Sequence, residues 1–192
     1  MVAVAFAPRP RRFGLRSAPA RHTILCPLPK LHERAPVNIH DPSLGHRGVD
    51  LAYARTRPHD LVLQYPPDTE HGTVEHFMPR WVPVFAVHDG SITYAGPLGA
   101  AWSVVIDHDN GWASQYGNLE HLFVTPTSRS MHRARARAGD VLGYVGAARP
   151  GMFKSLHFEL WTGDDARGFQ DIDPMRHISK VLPLPWADPG PN

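Results

Sequence analysis

Two short stretches carry the residues best suited to chemistry. Gly45-His46-Arg47-Gly48-Val49-Asp50 sets a histidine and a carboxylate four positions apart, with a glycine between them. Ser155-Leu156-His157-Phe158-Glu159-Leu160 supplies a second histidine far later in the chain. Two histidines and one carboxylate form a zinc set of the catalytic type, in which three protein ligands leave one position open. An ion held that way lowers the pKa of its bound water to about 7 and polarises a carbonyl, which suits hydrolysis. Taken alone, His46 and Asp50 also fit a loop histidine followed by a capping aspartate, so the elements around them must decide.

Those elements read as strands. Gly45 and Gly48 permit the backbone turns needed to aim His46 and Asp50 at one ion. Val49, Leu51 and Tyr53 alternate with Asp50 and Ala52, which predicts that the motif runs into a strand. Val82–His88 and Ser91–Ala95 flank Asp89-Gly90, a tight-hairpin signal. Trp102–Asp107, a turn at Asp109-Asn110-Gly111 and Trp112–Tyr116 continue an antiparallel meander. Arg133–Ala138 alternates arginine with alanine, which predicts three arginines on one strand face and three alanines on the other. Gly139-Asp140 turns into a strand over 141–146, and 155–161 forms another. Ile172-Asp173-Pro174 precedes about one helical turn. The 20 prolines and 16 glycines favour short strands and turns over long helices.

The whole-chain properties narrow the class. At 192 residues, 42% of them hydrophobic, the chain is long enough for one domain with a real core plus extensions. No run approaches the roughly 20 apolar residues of a membrane helix, so no membrane partner is expected. A formal charge of +2 does not point to nucleic acid. A single cysteine, Cys26, excludes an intrachain disulfide and a cysteine-rich zinc site. The apolar start, Val2–Ala7, is short and precedes the arginines, the reverse of an export signal, so the expectation is synthesis in the cytoplasm without a signal peptide. Residues 1–35 read as a basic, proline-rich arm, with Arg9, Arg11, Arg12, Arg16 and Arg21 ahead of the first acid, Glu33. A domain over 36–180 follows, with an inserted loop or small hairpin at about 55–81 in which His59, His71 and His76 are expected at the surface. Residues 181–192 read as a proline-rich tail.

The ordered motifs resemble those of the lysostaphin/LytM-type zinc metallopeptidases, which cut peptide bridges in bacterial peptidoglycan. His46-Arg-Gly-Val-Asp50 matches that family's first ligand motif. Val84–Gly90, Val105–Gly111 and Ala138–Gly146 resemble its successive strand-and-turn units. Leu156-His-Phe-Glu-Leu160 matches its closing strand, and Ile172-Asp-Pro174 its aspartate-proline. The resemblance implies a mostly β fold, a small antiparallel sheet domain with a groove, carrying extended arms at both ends. It also implies zinc on His46, Asp50 and His157, and peptidoglycan or its peptide bridges as partner.

Two departures change what the resemblance implies. The family's closing motif normally begins with a histidine, here Ser155. Its tyrosine-x-histidine-leucine motif reads Tyr116-Gly117-Asn118-Leu119. Both non-ligand catalytic histidines are therefore replaced, and Arg149 and Phe153 stand where glycines are usual. Strand periodicity predicts that Ser155 shares the face of His157 and that Asn118 shares the face of Tyr116. Serine and asparagine hydrogen-bond but do not titrate near neutral pH. Supporting roles fall to Tyr116, Glu159 and, where a bulge rotates it inward, His121. Some family members are latent, with an upstream segment over the metal, and His32, Asn38 and His40 are placed for that role. The expected protein keeps its zinc but is weak or inactive as a hydrolase. It would serve as a structural or wall-binding component with protein neighbours through its arms, for example in a phage tail and hence a virion. The alternatives are an active zinc endopeptidase and a non-catalytic activator of another wall hydrolase.

Overall fold

The computed structural model describes residues 23–31, 34–39, 47–57, 73–108, 111–126, 134–164 and 168–183. Thirteen strands run through them: β1 (Ile24–Leu25), β2 (Val37–Asn38), β3 (Val49–Arg57), β4 (Thr73–Phe77), β5 (Pro83–Phe85), β6 (Gly90–Leu98), β7 (Ala101–His108), β8 (Trp112–Leu122), β9 (Arg135–Ala136), β10 (Val141–Val145), β11 (Leu156–Asp164), β12 (Gly168–Ile172) and β13 (Ile178–Lys180). The main sheet has the order β2-β3-β11-β8-β7-β6-β9, with β4, β12 and the β10–β5 pair branching from it. Every pairing in it is antiparallel, as the resemblance implies. β1 and β13 form a separate parallel pair. Among the described residues, no helix is long and apolar enough to cross a membrane.

Strand alternation divides the side chains between two faces. Leu51 and Tyr53 of β3, Val104 and Ile106 of β7, Trp112 and Tyr116 of β8, and Leu156, Phe158 and Leu160 of β11 meet in the main core. The opposite face of the same strands carries a smaller buried cluster, Val105, Ala113 and Trp161. His157 and Glu159 alternate with the core residues of β11, so they share the face of Trp161. These central strands are thus buried on both faces.

Several local expectations are corrected. Residues 23–31, read as part of the arm, place Ile24, Cys26, Leu28 and Leu31 in the core. Pro27 and Pro29 are buried as well, so residues 26–29 are enclosed on both sides rather than along one face. Asp89-Gly90 does not join a hairpin, because β5 pairs with β10 while β6 pairs with β7 and β9. Gly90 is absent from the positive-φ glycines, and an added Cβ there would lie 2.5 Å from Ile106 Cγ2. The glycine serves close strand approach rather than a turn. The arginine–alanine alternation yields only the two-residue β9, with Ala136 buried and Arg135 exposed; Ala134 and Ala138 are exposed as well. Arg133 lies outside the described residues. Across 55–81, β3 and β4 form an antiparallel ladder from Tyr53↔Phe77 to Arg57↔Thr73, and His59 and His71 lie outside the described residues.

Candidate metal centre

Asp50 and His157 come together because β3 and β11 are neighbours. The two residues are Cα partners across that pair, and His157 is in turn the Cα partner of Gly117 across β11 and β8. A row Asp50–His157–Gly117 therefore crosses three strands. Gly117 leaves room for the imidazole, since an added Cβ would sit 3.3 Å from His157 Cβ and 3.4 Å from its Cδ2. Gly48 has φ +71, and a Cβ there would lie 2.3 Å from the Phe158 carbonyl oxygen and 2.8 Å from Glu159 Cγ. Only glycine lets the first motif lie this close to β11.

The His157 ring is held on both nitrogens by carboxylates. Nδ1 lies 3.0 Å from Asp50 Oδ1, and Nε2 lies 2.8 Å from Glu159 Oε1. Glu159 is 1% exposed, and its charge is satisfied by His157, by Trp161 Nε1 donating to Oε2 and by Gln115 Nε2 donating to Oε1 at 3.4 Å. Burial disfavours a charged His157, but hydrogen bonds to Asp50 and Glu159 and their two negative charges outweigh it and raise the pKa to about 9. Asp50 is fixed in turn by its own backbone N–H, which donates to Asn38 Oδ1 at 3.2 Å.

This arrangement fits one side of a zinc site. Adjacent donors on a tetrahedral zinc, each about 2.0–2.1 Å from the ion, lie about 3.3 Å apart. The Asp50–His157 separation of 3.0 Å is close to that. With its pKa raised, the ring carries a proton on each nitrogen at neutral pH and donates to both carboxylates. An ion bound here would replace the Nδ1 proton between His157 and Asp50, while Glu159 keeps the Nε2 proton. His46, the expected third ligand, lies outside the described residues, as do His32 and His40. Among the described residues no group of three histidine, cysteine or acidic side chains could hold a metal.

The remaining site residues are distributed as follows. Tyr116 faces the core, fully buried, where its hydroxyl accepts the Val87 N–H at 2.9 Å and the Ser114 hydroxyl at 3.0 Å. The expectation that Asn118 follows the alternation of Tyr116 is corrected by a bulge. β8 carries one more residue than β7 between Tyr116 and Leu119, and Asn118 takes φ +59 within it. The bulge makes Leu119, rather than Asn118, the next core residue after Tyr116. Ser155 is buried, two residues before His157, with its N–H on the Gly146 carbonyl at 3.2 Å. His121 is exposed and packs on Phe123 and Tyr144, with ring centroids at 5.0 and 6.2 Å. Gln115 and Trp161 were not anticipated as part of the site. The alternation His157, Glu159, Trp161 signals Trp161 on the same face; Gln115 is set there by strand pairing, which leaves no local signal.

Comparison with known proteins gives a consistent result. Peptidase family M23 matches residues 69–173. A DD-carboxypeptidase/endopeptidase Mpg of Neisseria meningitidis is 28% identical over 116 residues, covering 60% of this chain and 24% of that protein. Its Neisseria gonorrhoeae counterpart matches to the same extent. The chain thus spans about a quarter of the length of the curated relatives it matches. Among solved structures, one from Ruminococcus gnavus described as a glycyl-glycine endopeptidase LytM is similar with TM-score 0.52 and 16% identity, over 82% of this chain and 62% of that one. A Pseudomonas aeruginosa structure described as a peptidase M23 gives TM-score 0.52 and 20% identity, over 88% and 55%. These structural likenesses concern the fold.

Proposed function

The chain belongs to peptidase family M23, and on that premise we propose that it is a peptidoglycan-directed zinc holder whose proton-transfer machinery is gone. The observation that carries this reading is the clamping of His157 between Asp50 and the buried Glu159. On this reading Asp50 and His157 are two of the ligands and Glu159 their orienting carboxylate, beside the positions, held by Asn118 and Ser155, where the resemblance implies catalytic histidines. His46, Asp50 and His157 would hold the ion. When bound, zinc supplies Lewis acidity toward a carbonyl and an acidified water.

The chain's own residues do the rest. Glu159 fixes which nitrogen of His157 carries the proton and so which one is free for a ligand bond. Asn38 holds the backbone of Asp50. Gly117 and Gly48 keep the floor clear of side chains. Asn118 and Ser155 can orient a peptide by hydrogen bonds, but neither accepts a proton near pH 7, and a positioned acid–base group contributes about 10²–10⁴-fold. The outcome is a module that binds wall peptide and cleaves it slowly or not at all.

Incubation with purified peptidoglycan tests this. Asn118→His combined with Ser155→His is expected to create zinc-dependent cleavage that the unaltered chain lacks. Asn118 is half-exposed and its left-handed backbone is one that histidine also visits, whereas Ser155 is buried and a histidine there must displace neighbours. Asn118→His alone is therefore expected to recover part of the activity. Release of wall peptides by the unaltered chain at rates of an ordinary endopeptidase would sink the proposal.

A further inference from the structure

Beyond the metal centre, β8 leads into a second surface. Arg80, Trp81, Glu120, His121 and Lys154 line an open groove of about 510 Å³. Glu120 and His121 follow Gly117 on β8 within roughly 13 Å of strand at about 3.3 Å per residue, and Lys154 immediately precedes Ser155. Three of the groove's lining residues thus belong to chain segments that flank the candidate centre.

Two of its lining residues, Trp81 and His121, carry aromatic rings, and an aromatic patch adjoins them. Trp81 is 58% exposed and Phe123 51%. Tyr144 joins them, with its ring 5.3 Å from Trp81 and 4.9 Å from Phe123, both edge-on. His121 lies 5.0 Å from Phe123. A contiguous aromatic patch of this kind does not serve the core and marks an interaction surface. Trp81 adds an independent sign, because it is held at φ +63. The turn at Arg80-Trp81 takes this left-handed backbone with a large indole rather than glycine, while most of the ring faces solvent.

The polar lining says what fits. Lys154 Nζ is paired with Glu120 Oε2 at 2.5 Å, which supplies a donor and an acceptor side by side and leaves Arg80 as the one lining arginine or lysine outside an ion pair among the described residues. A polyanion would want a row of unpaired cations rather than one. A sugar ring offers the complement of this surface: a face of polarised C–H bonds for the negative face of an aromatic ring, and a rim of hydroxyls and amides for paired donors and acceptors. We propose that this groove binds the N-acetylated amino-sugar strand of peptidoglycan, holding the glycan while its attached peptide reaches the centre at His157. The proposal rests on the wall-directed reading above.

The test is titration calorimetry of the full chain with soluble, peptide-free glycan strands. Trp81→Asn, a residue that tolerates left-handed backbone, and Phe123→Ser are each expected to weaken binding about tenfold, with no loss of thermal stability. Asp50→Asn is expected to leave glycan binding unchanged while zinc is lost, so failure of the metal reading and failure of this one are separable. Unchanged binding in both aromatic variants overturns the proposal. So does binding of wall peptide or single-stranded DNA at this groove with the same affinity as glycan.

Discussion

Nε2 of His157 lies 2.8 Å from Oε1 of Glu159, two residues along the same strand, and Glu159 is almost completely buried. The pair fixes the imidazole before any ion arrives. Glu159→Gln keeps the shape but removes the charge, and is expected to weaken zinc retention about 10–100-fold. Competition with a chelator measures it. Retention equal to the unaltered chain contradicts an orienting role for Glu159.

Gly48 separates two effects that glycine substitutions usually mix. Gly48→Ala meets both φ +71 and a Cβ contact of 2.3 Å with the Phe158 carbonyl oxygen, while Gly151→Ala meets φ +81 with nothing within 4 Å. Left-handed backbone costs an alanine roughly 1–2 kcal/mol, and overpacking adds about 1–3 kcal/mol. Denaturant unfolding should therefore show Gly48→Ala as the more damaging of the two by that second amount. Equal losses would mean β3 and β11 can separate without cost.

Tyr116 acts from inside the core. Tyr116→Phe leaves the buried Val87 N–H and the Ser114 hydroxyl without the oxygen they donate to. The expected loss is about 1–3 kcal/mol for an unsatisfied buried donor, with zinc retention unchanged because the ring faces away from His157. A variant that keeps full stability but loses zinc would contradict this placement.

Cys26 gives a pH dependence of known sign. Burial raises its pKa from 9.0 to about 11, against a backbone hydrogen bond at Leu28 that lowers it. The unfolded thiol ionises first, so between pH 9 and 11 the folded state holds more protons and stability falls as pH rises. The slope from this group is at most about 1.4 kcal/mol per pH unit. Comparison with Cys26→Ala across that range isolates it, since other titrating groups are common to both. An identical pH profile in the two proteins contradicts the buried thiol.

The meeting of Asp50 with His157 was legible because each stands in a motif with its own strand pattern, and alternation places His157 and Glu159 on one face. What alternation could not show was the bulge at Asn118, whose left-handed backbone depends on how β8 pairs with β7 and β10. Gly117 gave no warning either, because its reason is a partner on β11. Asp89-Gly90 misled for the opposite reason: a strong local turn signal was overruled by the close approach of Gly90 to β7. Residues 23–31 were hidden by their prolines, although Ile24, Cys26 and Leu28 already carried the period of a buried strand.

Zinc held through the clamped His157 is the property from which the proposed function follows. Elemental analysis of the purified, dialysed protein measures that directly. About one zinc per chain is predicted for the unaltered protein, with the metal lost in folded Asp50→Asn and His157→Gln variants. A folded, unaltered chain that carries no zinc and takes none up when it is offered would contradict the central claim.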